Sequence, residues 1–239
     1  MPVVVSVVLP VFNEQPNLAP VLAELLRVLA EVEHEIVAVD DGSTDGSWGE
    51  LQRLARVHRG LRALHLREHS GQSAALAAGF DAARGDIVVT LDADGQSDPT
   101  DIPMMLTALA EDDTLAGVVG YRVRRADSIW KRAQSRVANR VRNWITRDGM
   151  RDTGCPLKVI RRATLVGLPR FDGMHRFLPA LIQATGGLVH EVPVTHRPRL
   201  AGRSKYGMWD RALRGLVDAL GVRWYRHRLL RYVVTEDSA

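Results

Sequence analysis

The stretch Gly85-Asp-Ile-Val-Val-Thr-Leu-Asp-Ala-Asp-Gly-Gln96 decides the fold class of this chain. Its apolar block is short and rich in β-branched residues, which is typical of a strand buried on both faces of a parallel sheet. Carboxylates follow on Asp92 and Asp94, and an amide follows on Gln96. Alternate residues of an extended segment point the same way, so these three side chains are predicted to converge where the strand ends. Such oxygen ligands suit Mg²⁺ or Mn²⁺, and a polar loop after a strand is the alternative interpretation.

Apolar runs and helical patterns alternate along the first half of the chain, which predicts strands at 3–12, 35–39, 61–66, 87–91 and 117–121. This alternation indicates βαβ units and an α/β fold, with a mostly parallel central sheet flanked by helices. Ligands of such sheets bind beyond the carboxyl ends of the strands. Polar clusters lie at three of these ends, at 10–14, 40–45 and 92–96. A single binding site is therefore predicted at one edge of the sheet.

The second half has a different pattern, which predicts a helix around 130–145, a short strand at 157–160 and a helix ending at residue 184. A strand over 188–197 and one long helix or two over 206–232 complete the prediction. We expect two units: a main domain at 1–205, and a C-terminal basic amphipathic helix with its tail at 206–239.

The composition limits the classes of protein to which the chain can belong. Its 239 residues are 46% hydrophobic and 25% charged, which is ordinary for a soluble globular protein. The single cysteine, Cys155, excludes an internal disulfide framework and favours a reducing compartment. No apolar run approaches the roughly 20 residues of a membrane-spanning helix, and the first residues are typical of a strand and not of a signal peptide. The glycine motifs of dinucleotide and P-loop sites do not occur in the sequence.

The charges are distributed unevenly, although the net charge is only +4. Residues 1–115 hold 19 acidic side chains against 7 basic ones, whereas 122–151 and 197–232 each hold 10 basic against 2 acidic. Four tryptophans are interleaved with these basic blocks, which suits the interface of an anionic membrane: Trp130, Trp144, Trp209 and Trp224. The alternative is that they are core residues of ordinary amphipathic helices. The basic blocks also allow a nucleic-acid-binding protein, but the acidic strand ends would repel phosphate in the absence of a metal.

Several motifs, taken together and in this order, resemble family 2 glycosyltransferases of the GT-A fold: Pro10-Val-Phe-Asn-Glu14, Asp40-Asp-Gly-Ser43, Gly79-Phe80, Gly85-Asp86 and Asp92-Ala-Asp-Gly-Gln96. Two more narrow the resemblance to polyprenyl-phosphate sugar transferases of the dolichol-phosphate mannose (or glucose) synthase type: His175-Arg-Phe-Leu-Pro179 and Gly202-Arg-Ser-Lys-Tyr206. The resemblance covers about residues 4–210. It implies a Rossmann-like nucleotide-sugar-binding fold. It also implies an inverting, metal-dependent transfer of a hexose, with mannose favoured, from a nucleotide-diphospho-sugar to a polyprenyl or dolichyl phosphate.

The resemblance also implies roles for individual residues. The residues that would contact the nucleoside are Pro10, Phe12, Glu14, Asp40 and Asp41. Those implied for the metal and the donor diphosphate are Asp92, Ala93, Asp94 and Gln96, where Gly95 replaces the usual leucine. The residues that would bind phosphate groups of the donor or the acceptor are Arg122, Arg176, Arg203 and Lys205. Asp152 aligns with the acid often proposed as the catalytic base, and both a base and an orienting group remain open for it.

The resemblance further implies partners and a location. The donor would be of the GDP-mannose or UDP-glucose class, the acceptor a polyprenyl-phosphate lipid, and the cofactor Mg²⁺ or Mn²⁺, with no nucleic acid involved. We expect a cytoplasmic protein that is peripheral on the cytoplasmic membrane face, while a membrane-anchor subunit and a homo-oligomer remain open. The alternative is a family 2 transferase acting on a saccharide hydroxyl in cell-surface polysaccharide synthesis. A hydroxyl needs a strong base, whereas a phosphate monoester, with a second pKa near ~6, is already largely a nucleophile.

Overall fold

The computed structural model describes residues 5–123, 141–198 and 208–230. The first part of the chain alternates strands and helices as the sequence predicts: β1 (Val5–Val11), α1 (Gln15–Val28), β2 (His34–Asp40), α2 (Ser47–Val57), β3 (Leu61–His65), α3 (Gln72–Ala82) and β4 (Ile87–Thr90). Each boundary falls within a few residues of the predicted one, because every apolar run is bounded by polar or glycine-rich turns.

The second part contains more short elements: a 3₁₀ turn (Pro99–Asp101), α4 (Ile102–Ala110), β5 (Leu115–Arg122), β6 (Lys158–Arg161), α5 (Arg162–Leu165), a 3₁₀ turn (Met174–Arg176), α6 (Leu178–Ala184), β7 (Leu188–Val194) and α7 (Met208–Arg228). Residues 141–146 are also helical. Most of the helix predicted around 130–145 lies outside the described residues, and so does Trp130.

The described strands form one seven-stranded sheet in the order β3-β2-β1-β4-β6-β5-β7. Four pairings are parallel, namely β1 with β2, β1 with β4, β2 with β3 and β5 with β7. Strand β6 runs antiparallel to both of its neighbours, β4 and β5. The predicted mostly parallel sheet is therefore confirmed. The direction of β6 was not predicted, because an apolar run indicates a strand without fixing its direction.

Helices cover both faces of the sheet, so the strands form the middle layer of the domain. Alternate residues of β1 face opposite sides: Val7 and Leu9 pack with helices α1, α2 and α4, and Val8 packs with α3 and α6. At Gly79 of α3, a Cβ atom would lie only 2.2 Å from Val8 Cγ1. Glycine at this position therefore lets α3 pack closely against the central strand.

The strand ends that carry the polar clusters lie beside one another. In the parallel register, Val11 of β1 pairs with Asp40 of β2, and Val8 of β1 pairs with Thr90 of β4. The carboxyl ends of these three strands therefore meet at one edge of the sheet, which confirms the predicted edge. The candidate site is described at this edge.

Candidate active site

The loop after β4 turns instead of continuing the strand. Gly95 has a φ of +73°, and Asp94 Oδ1 accepts a hydrogen bond from the Gln96 amide N–H at 3.0 Å. Asp94 is buried, with 7% of its surface exposed. The orientation of Asp92, Asp94 and Gln96 is therefore set by a turn, and the strand alternation assumed from the sequence does not extend past Thr90. Glycine suits this position because its φ lies in the left-handed region, so the Gly95 departure from the family pattern has a local cause.

The oxygen atoms of this loop fit a hard divalent cation. Gln72 Nε2 donates to Asp92 Oδ1 at 2.8 Å. This bond and the Gln96 amide bond to Asp94 both end on Oδ1 atoms. A carboxylate has about four acceptor positions, so these bonds do not exclude metal ligation. Within the described ranges, no three His, Cys, Asp or Glu side chains are arranged to hold a metal. A cation here would therefore complete its shell with Gln96, water or ligand phosphate oxygens, which is the usual arrangement for Mg²⁺.

A cavity of about 410 Å³ opens at the end of β4. Its volume is within the usual range for small-molecule sites. Its charged or strongly hydrogen-bonding lining comprises Gln72, Asp92, Arg122, Lys158, His175 and Arg176. Three of these, Asp92, Arg122 and Arg176, were predicted as site residues, and the structure brings them together although they are up to 84 positions apart (176 − 92 = 84). The cavity therefore brings one carboxylate together with several basic side chains.

Arg122 and Asp152 form a bidentate ion pair beside this cavity. The Arg122 Nε and Nη2 atoms donate to Asp152 Oδ2 at 2.7 Å and Oδ1 at 2.9 Å. Burial lowers the pKa of Arg122, but the hydrogen bonds and charge of Asp152 outweigh burial and raise that pKa above its ordinary value. Glu191 Oε1 holds the Asp152 segment by accepting the amide N–H groups of Arg151 and Asp152 at 2.8 and 3.3 Å. Since both oxygens of Asp152 accept from Arg122, this arrangement is typical of an orienting carboxylate.

Lys158 is a site residue that the sequence analysis missed. It lies in β6, pairs with Thr90 of β4 and Val119 of β5, and is only 4% exposed. Its Nζ donates to the Cys155 carbonyl. Burial lowers the pKa of Lys158, and negative groups nearby, Asp92 and Asp152 among them, oppose that effect. The available signal was a lysine inside an apolar run predicted as a strand, because buried charges are rare unless they are paired or functional.

His175 contributes an uncharged ring to the same cavity. Its Nδ1 lies 2.8 Å from Ser73 Oγ, which also accepts the Gly173 amide N–H at 3.0 Å. Burial lowers the pKa of His175 to about 3, and the positive charges of Arg176 and Lys158 act in the same direction. His175 is therefore a neutral hydrogen-bonding group at neutral pH.

The side chains predicted for the nucleoside lie at the ends of β1 and β2. Phe12 stacks on His69, with the ring centroids 3.9 Å apart. Asp40 is fully buried, and its Oδ2 lies 2.7 Å from His65 Nδ1. Asp41 is also buried and accepts hydrogen bonds from the backbone of the loop before α3.

The remaining predicted residues are placed as follows. Pro10 lies in β1 opposite Val39, and the Glu14 amide N–H donates to Ser47 Oγ at 2.9 Å. Ala93 is buried between the two aspartates of the turn. Arg203 and Lys205 lie outside the described residues.

The segment that leads toward Arg203 is attached to the Asp94 turn. The Arg197 amide N–H donates to the Gln96 carbonyl at 2.8 Å, and the Arg197 guanidinium bonds to Asp98 and Glu24. The basic segment therefore begins close to the proposed metal loop.

Residues 6–166 match the family described as Glycosyl transferase family 2. This match covers more than half of the chain. The chain belongs to glycosyl transferase family 2. The family predicted from the motifs is thereby confirmed.

Two curated relatives of this family 2 chain carry names of polyprenyl-phosphate enzymes. It is 35% identical over 226 residues to the dodecaprenyl-phosphate galacturonate synthase of Rhizobium johnstonii, covering 92% of this chain and 66% of that protein. It is 38% identical over 205 residues to an undecaprenyl-phosphate 4-deoxy-4-formamido-L-arabinose transferase of Pseudomonas aeruginosa, covering 84% of this chain and 60% of that protein. The chain thus spans somewhat less than two thirds of the length of these relatives.

Solved structures of glycosyltransferases show the same fold. Glucosyl-3-phosphoglycerate synthase of Mycobacterium tuberculosis, in complex with Mn²⁺, UDP-glucose and phosphoglyceric acid, has a TM-score of 0.68 at 20% identity, over 92% of this chain and 80% of that one. The mannosyltransferase of Pyrobaculum calidifontis, with GDP-Man and Mn²⁺, has a TM-score of 0.65 at 23% identity, over 95% and 71%. The predicted GT-A fold is confirmed. Of the helices in the described ranges, none is both long enough and apolar enough to cross a membrane.

Proposed function

We propose that this family 2 member transfers a sugar from a nucleotide-diphospho-sugar to a polyprenyl phosphate, with inversion and with Mg²⁺ or Mn²⁺. The observation that carries the proposal is the cavity lined both by Asp92 and by the basic side chains of Arg122, Lys158 and Arg176. A leaving nucleoside diphosphate gains negative charge as the sugar bond breaks. Donors already in place around the diphosphate stabilise that charge without reorganising. The polyprenyl-phosphate names of the two relatives support the acceptor class.

In this proposal the donor lies across the ends of β1, β2 and β4. The nucleoside would contact residues at the first two ends: Pro10, Phe12, Glu14, Asp40 and Asp41. The turn after β4 would hold Mg²⁺ or Mn²⁺ through Asp92, Asp94 and Gln96, with Ala93 packed beneath. When bound, the cation would supply electrostatic stabilisation of the diphosphate oxygens. Arg122 and Arg176 would donate charge-assisted hydrogen bonds to phosphate oxygens.

The geometry of Asp152 favours a phosphate acceptor over a saccharide hydroxyl. A hydroxyl acceptor requires a general base, whereas both Asp152 oxygens accept hydrogen bonds from Arg122. A lipid phosphate is already largely ionised at neutral pH, so orienting it matters more than deprotonating it. We therefore propose that Asp152 orients Arg122, and that Arg203 and Lys205 offset the repulsion between the donor and acceptor phosphates.

The sugar is the least specified part of the proposal. The sequence resemblance favours mannose or glucose, whereas the two relatives are named for galacturonate and 4-deoxy-4-formamido-L-arabinose. A donor panel therefore has to include neutral hexoses, a hexuronic acid and an amino-pentose derivative.

We also propose that the segment 206–239 contacts the membrane on its cytoplasmic face. Val217, Leu220 and Trp224 of α7 have 61%, 52% and 64% of their surface exposed, and Trp144 of the 141–146 helix has 76%. Arg223 of α7 donates to the Ile145 carbonyl at 3.2 Å, which attaches the two helices to each other. Trp144 and Trp224 are thus not core residues, and exposed tryptophans beside arginines suit the headgroup region of an anionic bilayer.

The first test measures donor binding. Titration calorimetry with GDP- and UDP-sugars should show Mn²⁺-dependent binding that Asp94→Ala removes. A matched control is Asp86→Ala, since this carboxylate is 76% exposed and lies on the approach to the opposite end of β4. Binding to Asp94→Ala that equals wild-type binding would contradict the metal assignment.

The second part of the test measures transfer. Labelled sugar should move to polyprenyl phosphate presented in anionic vesicles, with which the protein should sediment at low salt and from which it should dissociate as salt rises. Transfer to a saccharide hydroxyl with none to the lipid phosphate would reject the acceptor. Absence of sedimentation at every salt concentration would reject the membrane contact.

A further inference from the structure

Asp41 is not accessible to a ligand, although it lies where the nucleoside is proposed to bind. It is only 2% exposed. Its Oδ1 accepts the Ser70 amide N–H at 2.7 Å, and its Oδ2 accepts the Gly71 amide N–H at 2.9 Å. The same Oδ2 lies 2.8 Å from His69 Nδ1. A nucleobase therefore has little of the carboxylate surface left to contact.

His69 is the accessible side chain of this cluster. Its side chain is 41% exposed, against 3% for Asp41. Its ring stacks on Phe12, with centroids 3.9 Å apart and planes inclined by 15°. The imidazole is therefore held on one face by an aromatic ring and at Nδ1 by a carboxylate, and 41% of the side chain remains exposed.

The contact with Asp41 fixes which ring nitrogen of His69 carries the proton. A carboxylate that accepts backbone N–H bonds through both oxygens acts only as an acceptor, so His69 Nδ1 must be the donor. In the neutral imidazole this leaves a lone pair on Nε2, at the edge of the ring away from Asp41.

The loop that carries His69 is packed too tightly to move aside easily. A Cβ atom at Gly42 would lie 2.6 Å from both the Glu68 carbonyl carbon and the His69 amide nitrogen. The backbone therefore passes directly over the end of β2, and three hydrogen bonds to Asp41 hold it there. His69 is thus held at the ends of β1 and β2 by Phe12 and Asp41, with its ring direction set before any ligand arrives.

We propose that His69 is the base-reading residue of the donor site, positioned by Asp41 and Phe12. This inference rests on the proposed function, because it assumes that a nucleotide-sugar binds at the ends of β1 and β2. The Nε2 lone pair accepts a ring N–H, which uracil offers at N3 and guanine offers at N1. Cytosine and adenine present a ring lone pair at the corresponding edge, so His69 disfavours both. The donor is therefore a diphosphate sugar whose base carries a ring N–H at that edge, as in uridine and guanosine, and is not a cytidine or adenosine diphosphate sugar.

The experiment compares Mn²⁺-dependent affinities for UDP, GDP, CDP and ADP, with inorganic pyrophosphate as a base-free probe. Wild-type protein should prefer UDP or GDP. His69→Ala should weaken binding of the preferred nucleotide up to about tenfold, because the base loses one hydrogen bond. Pyrophosphate affinity should not change. A general loss of folding would weaken both, so the ratio of the two affinities reports on base contact alone.

His69→Phe separates the two parts of the contact. Phenylalanine can keep a ring against Phe12 but has no Nε2, so the gap between UDP or GDP and CDP or ADP should close. A matched control is His34→Ala, since that histidine also makes an Nδ1 hydrogen bond but lies at the opposite end of β2. Its nucleotide affinities should equal those of the wild type.

Two results would overturn the inference. Nucleotide affinity unchanged in His69→Ala would exclude any contact with the base, and a base preference preserved in His69→Phe would exclude the Nε2 acceptor. In both cases wild-type binding of UDP or GDP with Mn²⁺ would leave the proposed function standing. Wild-type protein that binds pyrophosphate and no nucleotide would instead reject the proposed donor itself.

Discussion

Two groups of charged side chains, here called the acidic wall and the basic wall, are assembled in different ways. The acidic wall comprises the carboxylates that directly follow the parallel strands β1, β2 and β4, and of these Asp92 lines the cavity. The basic wall comes from three places far apart along the chain: Arg122 at the end of β5, Lys158 in β6 and Arg176 in a 3₁₀ turn. The acidic wall is therefore a product of local order, and the basic wall depends on tertiary structure.

This difference extends to the partners that hold each charge. Asp94 is bound by the Gln96 amide N–H of its own turn, which is present whenever the turn is formed. Asp41 is the exception, because its backbone donors, Ser70 and Gly71, lie 29 and 30 residues further along the chain. Arg122 depends on Asp152, thirty residues further along, and Lys158 depends on the antiparallel insertion of β6 between β4 and β5. We therefore expect that substitutions in the basic wall affect the whole cavity, whereas substitutions in the acidic loops act mainly where they occur.

Lys158→Met should have the largest effect of the substitutions that this comparison suggests. It keeps the side-chain volume and removes the buried cation that faces Asp92 and Asp152. Loss of a charged hydrogen-bond donor typically costs about 1.5–3 kcal/mol, so kcat/KM for sugar transfer should fall about tenfold to a hundredfold. Steady-state kinetics with the lipid acceptor measures this loss.

The same variant should respond more strongly to metal. Without Lys158 the carboxylates have lost a compensating charge, so Mn²⁺ should raise the Tm of Lys158→Met more than that of the wild type. Thermal unfolding with and without Mn²⁺ measures the two shifts. Equal shifts, with kcat/KM unchanged, would show that the walls are not electrostatically coupled.

Substitutions at two glycines allow a loop of the acidic wall to be compared with the loop that precedes Asp152. Gly42 and Gly149 have similar φ values of +66° and +69°, so an alanine at either position is strained by about 1–2 kcal/mol. At Gly42 a Cβ would also meet backbone atoms at 2.6 Å, whereas no described atom lies within 4 Å of a Cβ at Gly149. Gly42→Ala should therefore cost about 2 kcal/mol more than Gly149→Ala.

Urea unfolding monitored by fluorescence measures both costs. Gly149→Ala is the matched control, because it contains the backbone strain without the steric overlap. Equal losses of unfolding free energy would mean that the loop over β2 can relax, and they would weaken the view that His69 is held in place.

The contrast between the walls also explains what could be predicted from the sequence. The strands, their order of appearance and the polar clusters at 10–14, 40–45 and 92–96 follow from local patterns, and the structure confirms them. The turn at Gly95 was missed, because a strand pattern does not show where pairing stops. Lys158 was missed because its place in the cavity depends on the pairing of β6 with β4, over a separation of about seventy residues. The Arg122–Asp152 pair has the same long-range origin.

His175 offers the smallest effect and tests whether the basic wall tolerates another positive charge. Its pKa in the folded protein is about 3, below the ordinary value of 6.5, because of burial and then the charges of Arg176 and Lys158. Between these two values the unfolded chain binds a proton that the folded chain does not. Stability should therefore be independent of this group above pH 6.5 and should fall as the pH is lowered, by up to about 1.4 kcal/mol per pH unit.

His175→Gln keeps a polar side chain in the cavity and cannot take up that proton. Urea midpoints should be measured between pH 7 and pH 5, because this pH range lies above the one in which most carboxylates titrate. As the pH falls through it, the wild type should lose stability and the variant should lose less. Above pH 6.5 the difference in stability between the two proteins should become constant. Parallel curves across the whole range would mean that the ring accepts a proton without cost, and the basic wall would then be more hydrated than its buried contacts with Ser73 indicate.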